Sequence, residues 1–180
     1  AHVNHSGEHI ALDDEEAPSA RRPVLWMGLG QVRDLRAGTI AAIITARRAR
    51  PFRDVGDLTL RVGLQGKELT HLIRCGALDG LGVSRAAQLA AAAQDVHGAG
   101  QMSFDFVVAE TPPESPGERL AWEEQVLGLP VSVHPLAQVD LPAGTTPLAS
   151  VAASLREQRV AGVRLPGWTG GQGCFLADEQ

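Results

Sequence analysis

The chain has 180 residues, enough for one domain or two small ones, and its 44% hydrophobic and 21% charged content is ordinary for globular protein. Aromatics are scarce and Tyr is absent, so any core is built from Ala, Leu, Val and Ile; the two widely spaced cysteines, Cys75 and Cys174, argue against a disulfide framework or a metal knuckle and for a cytosolic (cytoplasmic) compartment. No apolar run approaches the length of a membrane span, and no basic-then-apolar leader opens the chain. The net charge of −5 speaks against nucleic acid, but its distribution speaks for it. The window 31–85 carries ten Lys/Arg against five acids and is +5, which leaves −10 for the rest. A basic module inside an acidic chain fits a polyanionic partner, or an Arg-rich solvated helical surface.

In chain order, residues 1–22 are polar and run into Asp13-Asp14-Glu15-Glu16 and Pro18. His2, His5, Glu8 and His9 have metal-ligand chemistry, but their spacing matches no strong ligand pattern, so no metal site is expected there. Val24-Leu25-Trp26-Met27, stopped by Gly28, reads as a strand or extended run. Ile40, Ile43, Ile44 and Arg47 recur at helical spacing; Pro51 ends that helix, whose last turn gathers Arg47, Arg48 and Arg50, where the dipole favours cations. A short helix over 55–61 follows, and Gly66 opens another, with Leu69, Leu72 and Ile73 in phase, that stops at Gly76. Ser84 is a suitable N-cap for an Ala-rich helix over 85–96. Short helices joined by glycine-containing turns make a compact helical domain of roughly 70 residues.

Beyond it, Gly98 and Gly100 lead into the loop sequence QMSFDF (Gln101–Phe106), which holds two of the chain's four phenylalanines and is followed by Pro112, Pro113 and Pro116. A helix is expected over 118–127 and a strand over 158–165. The glycine-rich turn 169–173 then precedes a second strand from Cys174. Two strands cannot bury a face on their own, so that end reads as an incomplete β portion.

Several stretches, in one order, resemble the C-terminal region of the bacterial DNA polymerase III alpha subunit, the C family. HVNHS looks like its Asp-Val-Asn-x-Ser segment, and MGLGQVRDL resembles GLGxIKGVG. ARRARPFRDVGDL, LTHLIRCGALDGLG and EEQVLGLPVSVHPL are each similar to further family segments, and RVAGVRLPGWTGGQGCFLADEQ resembles the opening strands of its OB domain. The resemblance implies a mainly α chain. It would comprise a polar, extended N-terminal segment (1–30), a tandem helix-hairpin-helix domain (31–97), a loop with a clamp-binding peptide (98–116), a linker with a helix (117–157) and a truncated OB-like portion (158–180).

It further implies sequence-independent binding to the duplex DNA phosphate backbone by Arg33, Arg36, Arg47, Arg48, Arg50, Gly63, Gly66, Lys67 and Arg74. Gln101, Met102, Ser103, Phe104 and Phe106 would engage the sliding clamp, Gln101 as polar anchor and Met102, Phe104 and Phe106 as apolar ones. The remainder of the polymerase chain is the third implied partner, and no membrane is involved. One departure stands out. The family's first hairpin reads hydrophobic-x-Gly-hydrophobic-Gly, whereas this chain has Val32-Arg33-Asp34-Leu35-Arg36, with both glycine positions filled. Either the arginines replace the backbone contacts or that hairpin is purely structural. The second hairpin keeps Gly63 and Gly66, followed by Lys67, and is the safer candidate. No catalytic constellation is visible, and no cofactor is expected in this fragment; the magnesium of the parent polymerase would sit on a palm domain upstream, so the chain alone should be inactive. Two other readings remain open: a free-standing helix-hairpin-helix adaptor, and a hydrolase or metalloprotein using the N-terminal histidines. The choice between a main replicase and an error-prone polymerase is also open.

Overall fold

A computed structural model describes residues 1–13, 24–95, 112–146, 148–151 and 158–162. Strands β1 (Ala11–Asp13) and β2 (Val24–Trp26) form a small antiparallel ribbon in which Leu12 faces Leu25. Helices α1 (Ala37–Ala49), α2 (Val55–Val62), α3 (Gly66–Arg74) and α4 (Arg85–Asp95) follow, then α5 (Pro116–Leu127) and the single turn α6 (Leu148–Val151). The described fold is mainly α, as expected.

Local chemistry sets the helix ends. Arg50, immediately before Pro51, is extended at φ −164° and ψ 148°, because the proline ring disfavours helical backbone in the residue before it. The Asp54 carboxylate accepts a hydrogen bond from Asp57 N at 2.7 Å and caps α2. At α5, Ser115 and Glu118 close a reciprocal capping box with Pro116 in the first turn, so the helix begins two residues earlier than the sequence suggests.

One apolar core collects Val32, Ile40 and Ile43 from α1 and its approach, and Phe52, Val55 and Leu58 from α2 and its approach. Leu69, Leu72 and Ile73 of α3, Leu78, and Val126 of α5 join it. Burying side chains of this kind contributes about 1.5–3 kcal/mol each.

The N-terminal segment, expected as a polar extension, is tied into this core. Val3 is fully buried, and its N–H donates to the Ala77 carbonyl at 3.0 Å. The Asn4 amide pairs with both backbone groups of Phe52, at 2.9 and 2.8 Å. Leu29 N and Gly30 N reach back to the carbonyls of Gly7 and Glu8, and a Cβ on Gly28 would lie 2.4 Å from Glu8 O. The sequence hides this because backbone carbonyls and one amide side chain do the work, with little apolar periodicity to reveal it.

Helix α5, expected within a linker, is likewise packed onto the helical body. Glu123, 1% exposed, accepts from the Arg85 guanidinium at 2.9 Å, from Val131 N and Ser132 N at 2.7 and 2.8 Å, and from the Ser132 hydroxyl at 2.7 Å. Burial opposes its ionisation, but the hydrogen bonds from Ser132, Val131 and Arg85 outweigh it and hold the carboxyl below its ordinary range. Of the expected C-terminal strand only 158–162 are described; there Arg159 bridges Thr145 in parallel, and Thr146 N donates to Arg159 O at 2.8 Å. The rest of the expected OB-like strands, including Cys174, lies outside the described residues.

Candidate nucleic-acid interface

The second hairpin has the backbone geometry that phosphate contact requires. Helix α2 ends at Gly63, which adopts the left-handed conformation at φ +65° and donates its N–H to Thr59 O. Leu64 turns inward and is buried, and α3 starts at Gly66. A Cβ built on Gly63 or on Gly66 would meet nothing within 4 Å, so both residues border open space. The first-turn N–H groups of α3 have no intrahelical acceptors and lie at the positive end of its dipole.

The first hairpin solves the same turn with different residues. Asp34 stands at the first glycine position and is left-handed, at φ +59°; among the described residues no other non-glycine has positive φ. Asp tolerates this region better than most side chains do. Arg36, at the second glycine position, is extended at φ −71° and ψ 143° and serves as the N-cap of α1, so a glycine is not needed there.

The two tips are bound to each other by ion pairs. Lys67 Nζ lies 2.9 Å from Asp34 Oδ2, and that hydrogen bond holds the Asp34 carboxyl below its ordinary range. The Arg36 guanidinium forks onto Glu68, with Nε to Oε1 and NH2 to Oε2 both at 2.9 Å. Glu68 also accepts from Arg36 N at 3.2 Å, the Thr39 hydroxyl at 2.7 Å and Gln65 N at 3.1 Å, and it is 1% exposed. Burial alone would raise its carboxyl; the hydrogen bonds from Arg36, Gln65 and Thr39 prevail and bring it down to about 2. Glu68 is therefore an internal anion shared by the N-termini of α1 and α3. His71 Nδ1 completes the link by donating to the Arg33 carbonyl at 2.6 Å. A shallow depression lined by Arg36, Gly38, Thr39, Ala42 and Val62 runs between the start of α1 and the end of α2.

The expected contact residues therefore fall into distinct groups. Gly63, Gly66, Lys67, Arg33 and Arg36 are brought together at the paired tips. Arg33 and Arg48 are exposed, and their side chains make no hydrogen bond or ion pair among the described residues. Arg47 points inward instead: its guanidinium donates to the carbonyls of Val3 and Ser6 at 2.9 and 2.6 Å and anchors the N-terminal segment. Arg50 pairs with Asp57 at 2.7 Å, and Arg74 donates to the Gln125 side chain of α5 at 3.0 Å. Arg85 is also consumed internally, by Asp79 and Glu123.

Sequence reading missed Glu68, Thr39 and His71. Glu68 had a legible signal, since it stands three residues after the N-cap Gln65 as a capping-box acid does. Its partnership with Arg36, 32 residues away, had none. Gln101, Met102, Ser103, Phe104 and Phe106 lie outside the described residues. Among the described residues no group of three or more His, Cys, Asp or Glu is placed to hold a metal ion, and no helix is long and apolar enough to cross a membrane. His2 uses both ring nitrogens within the chain: Nδ1 accepts from Asn4 N and Nε2 donates to Asp79 O, while the His5 ring stacks on Trp26 at 4.7 Å.

Residues 1–88 match the family described as helix-hairpin-helix motif. Over 145 residues the chain is 37% identical to a protein named error-prone DNA polymerase from Bordetella parapertussis, an alignment that covers 76% of this chain and 13% of that protein. Proteins of the same name from Xanthomonas oryzae pv. oryzae and Xanthomonas campestris pv. campestris are each 32% identical. Those alignments cover 89% and 68% of this chain, and 14% and 12% of the relatives. The chain thus spans only about an eighth of the length of the relatives it matches. The family match begins at residue 1, in agreement with a helical core that already includes Val3, beside which Asn4 bonds to the Phe52 backbone. The chain carries a helix-hairpin-helix domain and belongs, as a segment, with the bacterial C-family polymerases of the DNA polymerase III alpha type.

Proposed function

We propose that this chain is the duplex-holding segment of an error-prone C-family DNA polymerase, gripping the phosphate backbone without reading sequence. The observation that carries the reading is the second hairpin: Gly63 and Gly66 border open space at the start of α3, where the Gly66 and Lys67 N–H groups and the helix dipole favour an anion. Beside it lie Lys67, Arg33 and the half-exposed Arg36, which add charge without discriminating between bases. The relatives' names support the polymerase context. Nucleotidyl transfer and its magnesium ions belong to parts of such a polymerase outside this chain.

Titration of the chain against duplexes of unrelated sequence tests this directly. The expected result is equal affinity for each sequence and a loss of affinity of about tenfold or more between roughly 50 and 200 mM salt. Failure to bind any duplex at the lower salt overturns the reading.

A clamp-tethering role for Gln101–Phe106 belongs to the same proposal and rests on the peptide's sequence and its place after the helical domain. The Phe104→Ala/Phe106→Ala double variant should abolish binding to the cognate sliding clamp; unchanged affinity sinks this assignment and leaves the duplex reading standing.

A further inference from the structure

We infer that Asp34 restrains duplex binding by occupying Lys67, the cation beside the open second hairpin. The inference rests on the reading that the paired tips hold DNA phosphate, and it adds a built-in competitor to that site. Asp34 fills a position where the backbone is left-handed, at φ +59°, and its carboxylate lies 2.9 Å from Lys67 Nζ. Lys67 is the second residue of α3 and follows Gly66, so the carboxylate lies at the rim where a phosphate would approach.

Asp34 is not free to swing away. On one side Arg33 N donates to Val126 O at 3.1 Å and Arg33 O accepts from His71 at 2.6 Å; on the other, Leu35 N closes a turn onto Val32 O at 3.3 Å. The loop is thus pinned to α5 and α3 through the Arg33 backbone and closed by its own turn at Leu35, and the negative charge stays at the tip. The charged or titratable groups around it are Lys67, His71 and Arg33. Both partners of the Asp34–Lys67 pair are substantially exposed, and such pairs are weak enough to open. Duplex binding then proceeds by exchange: Lys67 releases the carboxylate and takes a DNA phosphate, while Asp34 remains nearby as a like charge. The first hairpin attenuates the second.

The test is duplex titration across a salt series with the wild-type chain, Asp34→Asn, Asp34→Gly, Lys67→Ala and Asp34→Asn/Lys67→Ala. Asn and Gly both accept left-handed backbone, and denaturation midpoints confirm that the variants fold. Removing the carboxylate is expected to tighten binding several-fold, while the slope of log K against log salt stays close to the wild-type value because Lys67 neutralises the same phosphate in both. In the Lys67→Ala background the gain from Asp34→Asn should largely vanish. If the wild type binds duplex and Asp34→Asn and Asp34→Gly bind identically to it, the inference is wrong and the duplex reading survives. A gain of equal size in the Lys67→Ala background also overturns it, since Asp34 would then act without Lys67. If neither wild type nor Asp34 variants bind at low salt, the duplex reading fails and takes the inference with it.

Discussion

The two hairpin tips make the same turn and expose opposite chemistry. At the second, Gly63 and Gly66 leave bare backbone facing open space. At the first, Asp34 stands where Gly63 does and the N-cap Arg36 where the N-cap Gln65 does, and both charges turn toward the second tip, onto Lys67 and Glu68. On the proposed reading a repeated motif divides labour: one copy keeps the candidate contact surface, and the other becomes the clasp beside it. The clasp is electrostatic and partly buried, whereas the contact surface is made of absent side chains.

This contrast is most easily broken at Glu68. Glu68→Ala leaves the Thr39 hydroxyl and the Gln65 N–H without their acceptor and removes the anion shared by two helix N-termini, and should lower unfolding stability by about 2 kcal/mol in urea titration. A loss near zero would mean the tips are held together some other way. Because the folded carboxyl titrates near 2 and an ordinary glutamate near 4.5, its stabilisation is fully present above the ordinary value. It should fade as pH falls from about 4.5 toward 2, and that part of the acid response should be missing in Glu68→Gln.

Effects of similar or smaller size sharpen the same division between clasp and surface. Arg47→Ala frees the carbonyls of Val3 and Ser6 and should lose about 2 kcal/mol of stability, with little change in duplex affinity for the folded fraction. Gly63→Ala forces a side chain into left-handed backbone and should lose about 1 kcal/mol, read from the same denaturation curves. Arg48→Ala should change stability by no more than about 0.5 kcal/mol yet reduce the salt slope of duplex binding by up to about 0.9.

Much of the helical frame was legible in the sequence, because Ile40, Ile43, Leu69, Leu72 and Ile73 keep a clear period and Pro51, Gly63 and Gly76 punctuate it. The docking of residues 1–8 was not legible, since it depends on Asn4 meeting the Phe52 backbone and Arg47 meeting two carbonyls, pairings with no periodic trace. The candidate interface was half legible. Its glycines announce themselves by type, but charge counting treated every arginine alike, and only the structure separates Arg48, which faces solvent, from Arg47 and Arg85, which face the protein. The altered glycine positions of the first hairpin were visible as a departure, while the reason they are tolerated lies in long-range partners on α3.

The most direct test is the duplex affinity of Gly66→Val at low salt, measured beside its denaturation midpoint. Gly66 opens α3 at normal helical backbone with free space where a side chain would go, so valine should fold with a stability change of at most about 1 kcal/mol. If the open backbone at this tip holds phosphate, valine should weaken duplex binding by about tenfold or more, a loss of roughly 1.4 kcal/mol in binding free energy. A Gly66→Val chain that folds normally and binds duplex as tightly as the wild type would contradict the assignment.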